Sequence, residues 1–268
     1  MKRMPVFRFV GLLGLILSIQ VFCAERIVSL SPGLTELVYQ LGCGDQLVGR
    51  SEVCNYPEAA LSLPIAGRFS DPDLEKLLSL KPTLVITNDL VNPGVKKPLE
   101  RNGIRCIQKQ CRTVEEYLEW VELLGKTLSC EQAARVEKER VLSRSTPKSK
   151  LGLKVLWVIW DAPIMIAGAG SLADGILSRA GAENSAGNVN QPYFQCSFDW
   201  VLANQPDVVV WTAMPRDNLK SHRFWGKLNA IKQDRIIMMP NSDLVQRPGP
   251  RICDGIDVLR KELEALKK

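Results

Sequence analysis

Little in this chain is equipped for covalent chemistry. Its one histidine, His222, sits in the polar stretch Lys220–Ser–His–Arg223 and reads as an exposed loop residue rather than a base or a metal ligand. The eight cysteines include no C-x-x-C pair, so zinc-type spacing is missing. Gly168 and Gly170 stand between a strand pattern and a helix pattern, but the next glycine is Gly175, and the dinucleotide fingerprint fails. The same segment reads as a tight turn, with Ser171 capping a helix and Asp174 completing a capping box. Neither a phosphate-binding G-x-x-x-x-G-K-[ST] loop nor a G-x-S-x-G nucleophile elbow occurs. These residues point to a non-catalytic protein without a resident metal or cofactor. A secreted α/β enzyme would instead need Asp243, Arg247 and a further acid converging on one reacting centre.

Binding chemistry is better provided for. Phe69, in Gly67–Arg–Phe–Ser70, and the pair Tyr193–Phe194, in Pro192–Tyr–Phe–Gln195, each precede one copy of an internal repeat. Equivalent loops beyond the carboxyl ends of strands would set these aromatics on opposite walls of a cleft, able to sandwich a flat or bulky ligand. The alternative for each is a cap over its own core. Further on, Asn241–Ser–Asp–Leu–Val–Gln–Arg–Pro–Gly–Pro–Arg251 follows a strand pattern over Arg235–Met239. There Arg247 is suited to hydrogen-bond ligand oxygens with Asp243 orienting it, or Arg247 and Arg251 hold the loop. Arg50 occupies a comparable loop in Gly49–Arg–Ser–Glu–Val–Cys–Asn–Tyr–Pro57.

The repeat supplies the elements that position these residues. Asp73 to Ile86 aligns without gaps on Ser197 to Val210. Each copy opens on a helix-capping residue, Asp73 or Ser197, with an acid two positions later, Glu75 or Asp199, where the helix dipole favours negative charge. A short amphipathic helix ends before Pro82 or Pro206, and a β-branched run follows as a strand buried on both faces. Upstream, Leu34–Gly42 matches Ala173–Gly181 as a helix closed by glycine, each behind a strand pattern, Arg26–Leu30 and Lys154–Ile159. Strands alternating with helices predict mostly parallel sheets. The fold class is therefore α/β in two similar lobes, residues 25–112 and 150–268. Between them, Val114 to Ser143 carries apolar residues at helical spacing without proline, which predicts one long connecting helix within residues 113–149.

The amino terminus sets the compartment. Lys2, Arg3 and Arg8 precede an apolar run from Phe9 to Val21, ending at Phe22–Cys–Ala24, which reads as a secretory signal peptide over residues 1–24. The run is short of the ~20 residues that span a bilayer, and lipidation of Cys23 is the alternative to cleavage. Those residues hold three of the 35 basic residues and no acid, so 32 basic residues against 29 acidic ones leave a net charge of +3. No dense basic run interleaved with aromatics remains, which excludes a nucleic-acid footprint. Lys148, Lys150 and Lys154 read as a solvated connector. The cysteine count suits an oxidising compartment, with Cys43–Cys54 and a pair among Cys106, Cys111 and Cys130 as disulfide candidates.

Four segments together resemble the periplasmic cobalamin-binding proteins, within the wider group that captures cobalamin, haem and iron-siderophores for ABC importers. They are Ser29–Glu36, Gly49–Pro57, Asp73–Pro82 and Arg247–Gly255. The resemblance implies two lobes joined by a long helix, a ligand in the cleft, limited closure and a monomer. It implies docking on a permease, coupled to ATPase subunits in the inner membrane, through one acid at each lobe tip, here Glu75 and Asp199. Ligand-facing aromatics carry over to Phe69 and Tyr193, and the polar pair to Asp243 and Arg247. Asn88 stands where another cleft tryptophan is expected. For the rival haem reading, Tyr193 or His222 is the candidate axial ligand.

Overall fold

The computed structural model describes residues 24–213, 217–239 and 241–267. Residues 1–23 of the expected signal peptide, Cys23 included, lie outside them. The first lobe holds strands β1 (Ile27–Ser29), β2 (Leu47–Ser51), β3 (Ile65–Arg68), β4 (Asp71–Pro72), β5 (Leu84–Thr87) and β6 (Arg105–Gln108), with helices α1 (Pro32–Gln40), α2 (Leu74–Ser79) and α3 (Lys96–Arg101). Helices α4 (Val114–Thr127) and α5 (Glu131–Arg144) follow. The second lobe holds β7 (Lys154–Asp161), β8 (Ile164–Ala167), β9 (Glu183–Asn184), β10 (Tyr193–Gln195), β11 (Val208–Trp211) and β12 (Ile236–Ile237), with α6 (Leu172–Ala180), α7 (Phe198–Ala203), α8 (Asp217–Ser221), α9 (Asn229–Lys232), α10 (Asp243–Gln246) and α11 (Ile252–Leu266).

The first sheet runs β4-β3-β2-β1-β5-β6 and the second β10-β8-β7-β11-β12, with β9 against β7. Pairing around β1 and β5 is parallel, as it is between β7, β11 and β12. Antiparallel pairs sit at the margins, β3 with β4 in one lobe and β8 with β7 and β10 in the other. The two-lobed α/β fold read from the alternating pattern is therefore present, each sheet being mixed. The repeat is real in space. Asp73 accepts the Lys76 N–H and Ser197 the Trp200 N–H, both at 3.2 Å, so α2–β5 and α7–β11 are equivalent units. The strand expected over Arg235–Met239 is cut to Ile236–Ile237.

Alternation along the central strands builds three cores. Ile27, Leu84 and Ile86 face one, and Val155, Trp157, Val208 and Val210 of the second lobe face the same one. Val28 and Val85 turn to an outer core of the first lobe, and Leu156, Val158, Val209 and Trp211 to an outer core of the second. Continuous apolar strands are what this double burial demands. The shared core also takes Leu34 and Leu37 of α1, Trp120 and Leu124 of α4, and Ile256 and Leu259 of α11, so both lobes close on one apolar interior.

Two expectations are corrected. The stretch expected as one long helix is two: the helical pattern breaks at Leu128–Cys130, where Ser129 takes the left-handed conformation (φ 55°). The halves fold back antiparallel, joined by Tyr117 to Glu137 and Glu122 to Lys138. Gly125 permits the crossing, since a Cβ there would lie 2.5 Å from that of Ala134. Both halves bury residues at helical spacing, Tyr117, Val121 and Leu124 in one and Ala134, Glu137 and Val141 in the other, so the pattern conceals the turn. The second correction concerns the disulfides: all seven described cysteines carry free thiols. Cys54 Sγ lies 3.0 Å from Ser51 Oγ, while Cys43 meets the Leu41 carbonyl at 3.7 Å and borders Cys130 rather than Cys54.

Candidate ligand-binding cleft

Parallel strands deliver their carboxyl ends to one edge of each sheet, the edge where α/β folds hold ligands. On the first lobe that edge carries Phe69 after β3 and Asn88 after β5. Ser70 is left-handed (φ 54°), turning the chain sharply into antiparallel β4 and leaving Phe69 47% exposed. Asn88 donates its backbone N–H to Ser31 Oγ at 2.9 Å, and its Oδ1 is buried without a partner. Arg50 is buried; its two terminal nitrogens donate to the carbonyls of Ser51, Glu52 and Leu61 at 3.1 to 3.4 Å, while its Nε has no partner. Arg50, expected in a loop, thus lies in β2 and clamps the chain that follows the strand.

The second lobe presents a cavity of about 540 Å³ at the matching edge, lined by Trp157, Ile159, Trp160, Met165, Tyr193 and Thr212, with Val245 and Gln246 from α10. Strand alternation separates the aromatic pair. Tyr193 is 42% exposed and faces the cavity, whereas Phe194 packs edge-to-face on Trp200, with centroids 5.2 Å apart, and closes the outer core. Burial raises the Tyr193 pKa above its ordinary value, opposed by the Leu172 backbone N–H and by the charge of Arg112 nearby. A larger groove of about 650 Å³, lined by Lys154, Glu183 and Asn184 among others, adjoins the amino end of β7, away from the carboxyl edge.

Polar links join the two edges. Arg247 Nη2 pairs with Asp243 Oδ1 at 3.0 Å, and its Nη1 donates to Asn55 Oδ1, on the loop beyond β2, at 2.6 Å. Asp243 thus orients Arg247 across the cleft. Arg251 forms a bidentate pair with buried Glu36 of α1 at 2.6 and 2.8 Å and lies 4.0 Å over the ring of Tyr56. Hydrogen bonding to Glu36 raises the Arg251 pKa further. Gly33 lets this segment press on α1, because a Cβ there would lie 2.1 Å from the Pro248 carbonyl oxygen.

The family described as "Periplasmic binding protein" matches residues 27–242, nearly the whole span just built. The chain belongs to that family. The vitamin B12-binding protein of Vibrio cholerae serotype O1 is 30% identical over 254 residues, covering 92% of each chain. Among solved structures, the periplasmic vitamin B12-binding protein of Vibrio cholerae matches with a TM-score of 0.73 at 27% identity, covering 91% of this chain and 98% of that one. A periplasmic heme-binding protein from Pseudomonas aeruginosa matches with a TM-score of 0.76, also at 27% identity, covering 89% of this chain and 92% of that one.

In this periplasmic binding protein the two acids marked by the repeat stand apart from the cleft. Glu75 and Asp199 are exposed in the first turns of α2 and α7, and neither forms an ion pair among the described residues. His222 is engaged locally: its Nδ1 accepts the N–H groups of Phe224 and Trp225, both at 3.3 Å. Sequence reasoning missed Trp160, Asn55 and the Glu36–Arg251 pair. Asn55 lies inside the segment Gly49–Pro57, but its partner is 192 positions away, beyond any local pattern.

Proposed function

We propose that this chain is the substrate-binding component of an ABC importer, capturing cobalamin or a related corrinoid between its lobes and handing it to the membrane permease. The reading includes export through the signal peptide, a periplasmic location, a monomer of two lobes (25–112 and 150–268) on a helical connector, and no catalytic role. Phe69, Asn88, Tyr193, Asp243 and Arg247 serve the ligand, with Arg50 shaping the loop beside them. Glu75 and Asp199 dock the permease, whose ATPase subunits drive release.

The observation that carries the ligand class is the uncharged lining of the second-lobe cavity. The residues lining the second-lobe cavity are aromatic, aliphatic or neutral and polar, and the nearby Arg247 is paired with Asp243. A corrin ring edged with neutral carboxamides suits that lining, whereas the carboxylates of haem call for free cations. The 30% identity to a protein named for vitamin B12 supports the same choice. Haem remains the second reading because Tyr193 and Met165 line the cavity and each can ligate iron. Burial opposes the tyrosinate form of Tyr193, and His222 is not among the residues lining the cavity. Calorimetry of the purified protein with cyanocobalamin and with haemin tests the reading. Micromolar binding of cyanocobalamin is expected, and its absence overturns the corrinoid assignment.

A further inference from the structure

Strand β7 carries one residue too many for its partner. Val158 faces Ile166 and Trp160 faces Met165, so the register slips between them and Ile159 and Trp160 together oppose a single residue of β8. Up to that point side chains alternate: Val155 and Trp157 enter the shared core, Leu156 and Val158 the outer one. Regular pleating would send Trp160 to the side of Leu156 and Val158. The bulge re-aims it, and Trp160 lines the same cavity as Ile159, its neighbour in sequence.

The indole is held, yet open. Its Nε1 donates to the Ala162 carbonyl at 3.0 Å, which uses its single polar group and fixes the ring against the loop that follows. At 54% exposure, Trp160 leaves a large apolar face in water at the mouth of a cavity that Tyr193 and Met165 also line. Resting on the corrinoid-uptake reading, we infer that Trp160 is the stacking wall of this site. Its ring lies against the flat face of a macrocyclic ligand, and the β-bulge is the device that supplies it.

Titration calorimetry of the full mature chain, as wild type, W160F and W160A, with cyanocobalamin and haemin as probes, tests the wall. The W160A variant is expected to lose about tenfold or more in affinity and W160F no more than about threefold, since phenylalanine retains a flat face. Labelling with 5-fluorotryptophan gives a second readout. The 19F resonance missing from W160F should shift in the wild type when ligand is added. Unchanged thermal unfolding of W160A would establish that the variant folds. A wild type that binds a probe while W160A binds it within about twofold overturns the stacking role and leaves the uptake reading standing. A wild type that binds neither probe overturns the uptake reading, and the wall with it.

Discussion

Single side chains hold the lobes to their connector, and Glu137 of α5 is the clearest case. It is 1% exposed, yet its carboxylate receives the Tyr117 hydroxyl at 2.7 Å, the Gln40 amide at 3.0 Å and two N–H groups of Arg140 at 2.7 and 2.8 Å. Arg140 in turn donates to the Pro250 carbonyl, tying the first lobe, the helical hairpin and the C-terminal segment to one carboxylate. Burial, then the charge of Glu137, raises the Tyr117 pKa well above its usual value. A buried charge with full hydrogen bonding is tolerated, whereas removing one partner strands the others. Glu137→Ala should therefore cost about 3 kcal/mol in urea denaturation at neutral pH, and Glu137→Gln less, because the amide keeps an acceptor. Loss of under half that amount would mean that water replaces the carboxylate.

At the scale of elements, the repeat builds two helices of the same length on different caps. Asp73 is a carboxylate whose pKa is lowered from its usual value, first by the Lys76 N–H it accepts, while Ser197 caps α7 with a neutral hydroxyl. A carboxylate with a lowered folded pKa contributes stability above its unfolded pKa and loses it as pH falls through the folded one. Acidification below about pH 4 should thus loosen the first turn of α2 and spare that of α7. Amide exchange at Lys76 and Trp200, followed from pH 5 to pH 2, reads this out. Parallel acceleration at both amides would show that global unfolding, and not the cap, responds to acid. Ser197→Ala, by comparison, should cost about 1 kcal/mol at every pH.

Across the whole molecule, two lobes share one core and two polar clasps, Arg247–Asn55 and Arg251–Glu36, so any opening of the cleft works against buried contacts on both sides. Glu75 and Asp199 are exposed charges at equivalent places on the two lobes, and the proposed reading gives them a two-point grip on the permease. Their local role is complementing the helix dipole, worth about 0.3–1 kcal/mol each. Changing both to lysine should abolish uptake in cells carrying the permease while leaving ligand affinity in calorimetry unchanged. Undiminished uptake would reduce the two acids to helix caps.

Periodicity and punctuation alone determined the α/β class, the duplicated unit and its two caps, because each rests on neighbours within a few residues in the chain. The cleft aromatics were legible only in part: Tyr193 and Phe194 look alike in sequence, and strand pleating decided that the first opens to the cavity and the second closes a core. Tertiary structure alone decided the rest. The turn at Ser129 hides inside an unbroken helical pattern, since both halves of the hairpin bury a face of the same period. Trp160 reaches the cavity through a register slip against β8, and Arg50 turns to the carbonyls of the chain beyond its own strand. Contacts of that kind depend on partners distant along the chain, which no local spacing encodes.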